Sequence, residues 1–167
     1  MQKIKHFSLP SSRPLLILLL AMTSGSLAII SCEKTAENDV LTKNGIPMTA
    51  AAEIQTPAVV SPATGTVDVS YNRSTRKLTY TVNWRNLTDS ITGSHIHGVA
   101  SKTQNAPVVH PFTIPVAART TVTGTYSGEA EVDGIKIKED SLLAGFYYFN
   151  IHTNRYKGGE IRGQIEF

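Results

Sequence analysis

FYYFNIHTNRYKGGEIRGQIEF, residues 146–167, is the stretch on which the fold turns. Its first half is apolar and aromatic and carries Asn150 and His152. Lys157-Gly158-Gly159 interrupts it. Beyond the interruption the chain alternates strictly. Glu160, Arg162, Gln164 and Glu166 fall on one side, and Ile161, Gly163, Ile165 and Phe167 on the other. Successive side chains of an extended strand leave opposite faces, so this alternation predicts a strand with one apolar face. Strand, glycine-rich turn, strand predicts a β-hairpin.

About fifty residues upstream lies a second informative run, Ser94 to Ala100, reading SHIHGVA. His95 and His97 stand at i and i+2, which in a strand puts both imidazoles on one face with Cα atoms ~7 Å apart. His95-Ile96-His97-Gly98, then Asn150-Ile151-His152-Thr153, then Gly159-Glu160-Ile161-Arg162-Gly163-Gln164-Ile165 occur in that order. These three blocks resemble the CHRD domain, the module named for its repeats in chordin. The resemblance covers Pro47 to Phe167. Val99 stands where the family often has Pro, and Tyr156-Lys157-Gly158 where a Pro often precedes Gly-Glu; both departures fall in turns. The resemblance implies a β-sandwich and brings no established enzymatic activity. It makes Gly98, Asn150, Thr153, Gly159, Glu160, Arg162 and Gly163 motif residues of structural character.

The rest of the chain supports an all-β protein. Gly65 to Tyr71 and Lys77 to Trp84 both alternate, with Val67, Val69, Tyr71, Leu78, Tyr80, Val82 and Trp84 facing inward. They form the clearest hairpin, around Asn72-Arg73-Ser74-Thr75. Met48 to Gln55 is a first strand, Gly93 to Val99 another, and Val108 to Ile114 an edge or bulged strand because Pro111 lies inside it. Thr120 to Val132 is one long strand or two, and Lys136 to Leu143 the one weakly helical stretch. Seven or eight short strands separated by turn signals predict an antiparallel sandwich or barrel. The family resemblance selects a Greek-key β-sandwich, similar to immunoglobulin-like or Cu/Zn superoxide dismutase-like sandwiches.

The N-terminus reads differently. Lys3, Lys5 and Arg13 are basic, no acid precedes Glu33, and Leu15 to Met22 is an apolar core. This is the layout of a secretory signal peptide. Ile29-Ile30-Ser31-Cys32 resembles the lipobox of bacterial lipoproteins, in which the Cys thiol takes a diacylglyceryl group and cleavage precedes it. Residues 1–31 are then the signal, 32–45 the lipidated Cys32 with a flexible polar tether, and 46–167 the domain. The expected address is the bacterial cell envelope, with membrane lipid as the partner of Cys32. Two or three acyl chains, at ~0.8 kcal/mol per buried CH₂, hold a protein on a membrane stably. Cys32 is the only cysteine, so no intrachain disulfide forms. Three of the 16 Lys and Arg lie in the signal, which leaves 13 against 13 Asp and Glu. A formally neutral mature chain with no basic cluster gives no reason to expect a nucleic-acid partner.

Candidate chemistry centres on His95, His97 and His152. Imidazoles two residues apart on a strand can reach one ion at ~2.0–2.1 Å, and His152 completes a set of three if its strand is adjacent. Copper, zinc or nickel suits such ligands. The arrangement is similar to the copper site of Cu/Zn superoxide dismutases, but the zinc-loop ligands and disulfide of that family are absent from the sequence, so dismutase chemistry is not implied. The competing expectation is a hydrogen-bonded network in which the imidazoles meet Asn150 or a backbone carbonyl. Glu160, Arg162 and Gln164 form either a ligand-binding row or cross-strand pairs on a solvated or end-of-barrel surface, with Arg162 bonding carbonyls or a carboxylate. Trp84, Tyr147, Tyr148 and Phe149 are core residues or, if exposed, a platform for a sugar or protein ligand. No Gly-x-Ser-x-Gly, phosphate loop or His-Glu-x-x-His occurs. The sequence therefore points to a lipid-anchored binding or structural module. Metal binding through the histidines and carbohydrate binding through aromatics are the alternatives.

Overall fold

The computed structural model describes residues 39–167. The expected signal peptide, Cys32 and the first part of the expected tether lie outside the described residues. Eight strands form one antiparallel sheet. In chain order they are β1 (Val40–Thr49), β2 (Thr64–Asn72), β3 (Lys77–Arg85), β4 (Ile91–Gly98), β5 (Val108–Pro111), β6 (Gly124–Glu131), β7 (Tyr147–Thr153) and β8 (Ile161–Gln164). Their spatial order is β5-β4-β7-β8-β1-β2-β3-β6. Connections from β3 to β4, β5 to β6 and β6 to β7 cross the sheet, while β2–β3 and β7–β8 are hairpins.

The sheet curls nearly shut. Tyr80 on β3 stacks on Phe112, just beyond β5, with ring centroids 4.6 Å apart. Its hydroxyl lies 3.2 Å from His110 Nε2 on β5. Phe149 from β7 completes this aromatic cluster, 5.2 Å from Tyr80. The interior is filled by the alternating apolar residues: Val67, Leu78, Val82, Ile96, Phe149, Ile151, Ile161 and Ile165 are all buried. The β2–β3 hairpin runs in the register that its alternation predicts, from Thr64 opposite Arg85 to Asn72 opposite Lys77.

Three segments depart from the sequence reading. The first strand does not run from Met48 to Gln55. It starts at Val40 and gives way to a 3-10 turn at Ala50–Ala52. Residues 40–45, expected as tether, are therefore strand. They lack apolar alternation because most of them are exposed, and backbone pairing with β2 holds them. A bulge between Lys43 and Ile46 absorbs the change of register, and the Gly45 N–H there donates to Asp68 Oδ1 at 2.7 Å. Second, the run from Thr120 is strand only from Gly124, and a short helix α1 (Val116–Arg119) precedes it. The edge strand β5 likewise stops at Pro111, where no N–H is available for pairing. The expected weak helix exists as α2 (Glu139–Leu143).

Candidate metal centre

The β4–β7 register decides what the histidines meet. Gly93 stands opposite His152, His95 opposite Asn150, and His97 opposite Tyr148. Inward positions of the two strands, Ile96, Phe149 and Ile151, enter the core. The opposite face therefore collects His95, His97, Tyr148, Asn150 and His152. Gly93 has no side chain to fill the position beside His152, and the His95 ring takes that room. A Cβ on Gly93 would sit 2.9 Å from His95 Cε1. The three rings meet at centroid separations of 4.9 Å (His95–His152), 5.4 Å (His95–His97) and 6.0 Å (His97–His152). One ring nitrogen from each lies within 4.8 Å of the other two.

Backbone carbonyls set two of the tautomers. His97 Nδ1 donates to the Ala106 carbonyl at 2.8 Å, and His152 Nδ1 donates to the Lys157 carbonyl at 2.8 Å. A neutral imidazole carries one N–H, so both Nε2 atoms keep their lone pairs. This is the outer-shell arrangement that orients metal-ligating histidines. His152 Nε2 and His95 Nδ1 are buried and have no hydrogen-bond partner among the described residues. His97 Nε2 lies 3.1 Å from Asn150 Oδ1. Burial is the first cause that keeps all three imidazoles neutral. His95 is pushed down to about 4, by burial first and then by the two neighbouring imidazoles. His110, on β5, lies apart beside Tyr80 and does not join the group.

The polar row of β8 is not on a solvated surface. Glu160, Arg162 and Gln164 are buried: residues 100–106 fold across Arg162 and Gln164, and the segments carrying Ser61 and Thr88 meet Glu160. Arg162 donates through Nη2 to the Ser101 carbonyl at 3.1 Å and through Nη1 to Asn105 Oδ1 at 3.2 Å. Gln164 Nε2 donates to the Ala100 and Gly145 carbonyls. Glu160 Oε1 accepts from Ser61 Oγ at 2.6 Å and from the Thr88 N–H at 2.9 Å. The expectation that Arg162 bonds a carbonyl holds; the expected exposure does not. Alternation distinguishes the two faces of a strand but does not register a loop folded over one of them.

The aromatic platform is likewise corrected. Trp84, Tyr147, Tyr148 and Phe149 are all buried, at most 2% exposed, so none presents a ring to a sugar. The motif residues have structural places. Gly98 ends β4 opposite Tyr147. Thr153 Oγ1 accepts from the Tyr156 N–H in the β7–β8 turn. Gly163 lies against the Pro47 carbonyl where β8 meets β1. Gly159 has φ +124, open to glycine, and a side chain there would run into the Glu53 carboxylate.

Residues 45–165 match the CHRD domain family. The chain belongs to this family. No curated protein and no solved structure matches it. Membership of the CHRD family points to a binding or structural module, and the architecture agrees with the sandwich that the three sequence blocks imply. Sequence reasoning missed Gly93, which makes room for His95, and the Ala106 and Lys157 carbonyls that orient His97 and His152. Only Gly93 carried a signal, as a small residue two positions before the first histidine.

Proposed function

We propose that this CHRD protein is an envelope module that holds one transition-metal ion between His95, His97 and His152. One observation carries the proposal: a ring nitrogen from each of the three histidines lies within 4.8 Å of the other two, at a place where His95 Nδ1 and His152 Nε2 are buried with no hydrogen-bond partner among the described residues. A buried polar atom left unpaired costs ~1–3 kcal/mol, and a bound cation removes that cost. Tetrahedral coordination at ~2.0–2.1 Å sets nitrogens ~3.3 Å apart, so rotations moving each nitrogen by under about 1 Å close the set. Imidazole donors suit copper, zinc or nickel rather than calcium or magnesium.

Metal analysis of untagged protein tests this. The expected result is about one equivalent of copper, zinc or nickel per chain, lost in His97→Ala. Less than about a tenth of an equivalent, unchanged in His95→Ala, removes the metal role. The buried Arg162–Gln164 network favours a second role for the same face, as the structural clamp that holds residues 100–106 on the sheet.

The address rests on the first 32 residues. A basic start, an apolar core and Ile29-Ile30-Ser31-Cys32 support export and acylation of Cys32. Mass spectrometry of the mature N-terminus is expected to find acylated Cys32 in the membrane fraction. Unacylated protein in the growth medium would remove the anchor and leave the metal reading untouched.

A further inference from the structure

Three histidines leave a fourth coordination position to assign. Asn150 lies among them, opposite His95 in the register and only 2% exposed. Its own strand is held from below, where Ser94 Oγ donates to the Asn150 carbonyl at 2.7 Å. The His97 Nδ1–H is committed to the Ala106 carbonyl, so Nε2 presents a lone pair. Asn150 Oδ1, also an acceptor, lies 3.1 Å from that Nε2. Two acceptors at this distance with no proton between them repel, whereas a cation beside both attracts them. The separation is also close to the ~3.3 Å edge between two donors of one tetrahedral ion.

We infer that Asn150 Oδ1 is the fourth donor, which makes a neutral set of three nitrogens and one oxygen. The inference rests on the metal role proposed above. It specifies the cargo further. An amide oxygen is a hard donor, so this set takes a divalent ion, Cu²⁺ or Zn²⁺, in preference to Cu⁺. The oxygen also closes the inner position of the site. Asn150 thereby acquires a ligand role in addition to its place in the strand pairing.

Competition titrations with chromophoric chelators, using Cu²⁺ and Cu⁺ separately, test the assignment. Asn150→Leu has a similar volume and no donor; Asn150→Asp keeps an oxygen and loses the amide N–H. The expected result is Cu²⁺ affinity at least about tenfold weaker in Asn150→Leu, with Cu⁺ affinity within about threefold of wild type. Asn150→Asp is expected to equal or exceed wild type for Cu²⁺. Electron paramagnetic resonance of the Cu²⁺ form is expected to change in Asn150→Leu. Cu²⁺ affinity unchanged or raised in Asn150→Leu overturns the inference, since an amide N–H capping Nε2 would compete with metal. Equal losses in both variants overturn it as well, because Asn150 would then only shape the pocket. Should Asn150→Leu not fold, Asn150→Asp decides alone: retained Cu²⁺ affinity supports the oxygen ligand and lost affinity removes it. Wild-type protein that binds no metal would instead remove the proposed function.

Discussion

His97 and Tyr148 stand opposite each other in the β4–β7 register, and their rings stack at 4.9 Å with planes 2° apart. From the β8 side, Arg162 places its guanidinium 3.4 Å from the Tyr148 centroid. An imidazole from one strand, a phenol from the next and a guanidinium from the third thus form one layer. This layer joins the candidate metal centre to the buried polar row. Tyr148 also ties the layer to its cover, since its hydroxyl accepts the Ala106 N–H at 3.2 Å. The same Ala106 orients His97 through its carbonyl.

Two Tyr148 variants separate these contributions. Tyr148→Phe keeps both ring contacts and loses one hydrogen bond, and is expected to cost ~1 kcal/mol. Tyr148→Leu also loses the stacked imidazole and guanidinium, and is expected to cost ~3 kcal/mol. Urea unfolding monitored by circular dichroism measures both. Equal midpoints for the two variants would show that the ring contacts contribute nothing.

Arg162 is 1% exposed, and no carboxylate oxygen lies within 4.0 Å of it among the described residues. Its hydrogen-bond partners are neutral: Ser101, Asn105 and Gln164. Burial lowers its pKa, yet guanidinium remains charged at any physiological pH. Arg162→Lys keeps the charge but not the planar fork, and is expected to lose ~2–4 kcal/mol through unpaired buried groups. Equilibrium denaturation provides the number. Hydrogen exchange is expected to rise first in residues 100–106, and uniform exchange across the chain would count against the clamp.

Glu53 supplies a pH dependence. It is 9% exposed, its Oε1 has no hydrogen-bond partner among the described residues, and burial pushes its pKa up to about 7, against a smaller downward pull from Arg162. The ordinary value is 4.5. Between these values the folded chain holds a proton that the unfolded chain has released. Glu53 therefore favours the fold most below pH 4.5, and that contribution is lost as pH rises through about 7. The loss is about 3 kcal/mol. Glu53→Gln carries the neutral form permanently. Urea midpoints between pH 4.5 and 8 are expected to lose this downward contribution in the variant, with the variant more stable at pH 8. Identical slopes for the two proteins would be incompatible with a buried protonated carboxyl.

What could be read from the sequence follows from which forces write themselves into side-chain order. Burial of one sheet face enforces alternation, so β2, β3 and β8 were legible down to which side chains point inward. The hairpin at Gly158-Gly159 was legible because a turn with positive φ selects glycine. The His95–His97–His152 convergence required only strand periodicity and the adjacency of β4 and β7. The first half of β1 was hidden because backbone pairing with β2 and the single apolar contact of Leu41 hold Val40 to Lys43, and hydrogen bonds between main chains leave no residue pattern. The cover over Arg162 was hidden because residues 100–106 are a loop whose destination depends on tertiary structure. The same loop places the Ala106 carbonyl on His97, so half of the site's orientation was invisible for the same reason.

The extended β1 can be tested by truncation. Chains beginning at residue 39 and at residue 46 differ by the pairs from Val40↔Asn72 to Lys43↔Val69, by the Gly45–Asp68 hydrogen bond and by the bonds that Asp39 accepts from the Arg73 N–H and Ser74 Oγ. The longer chain is expected to be more stable by ~2 kcal/mol, from a few backbone hydrogen bonds of ~0.5–1.5 kcal/mol each. Coincident melting curves would mean that residues 40–45 behave as tether after all.

Metal binding is expected to appear as stability, independently of any activity. A ligand that binds only the folded state adds RT ln(1 + [L]/Kd), which is about 2.7 kcal/mol at a hundredfold excess over Kd. For a domain of this size that corresponds to a rise in Tm of roughly 8 °C. Zn²⁺ or Cu²⁺ is expected to produce the rise, a chelator to reverse it, and His152→Ala to abolish it. Ca²⁺ and Mg²⁺ prefer oxygen donors and are expected to leave Tm unchanged. His110 provides the internal control, because it is partly exposed and lies apart from the three converging rings. A rise that survives His152→Ala but disappears in His110→Ala would place the ion at the β5 edge and remove it from the centre assigned above.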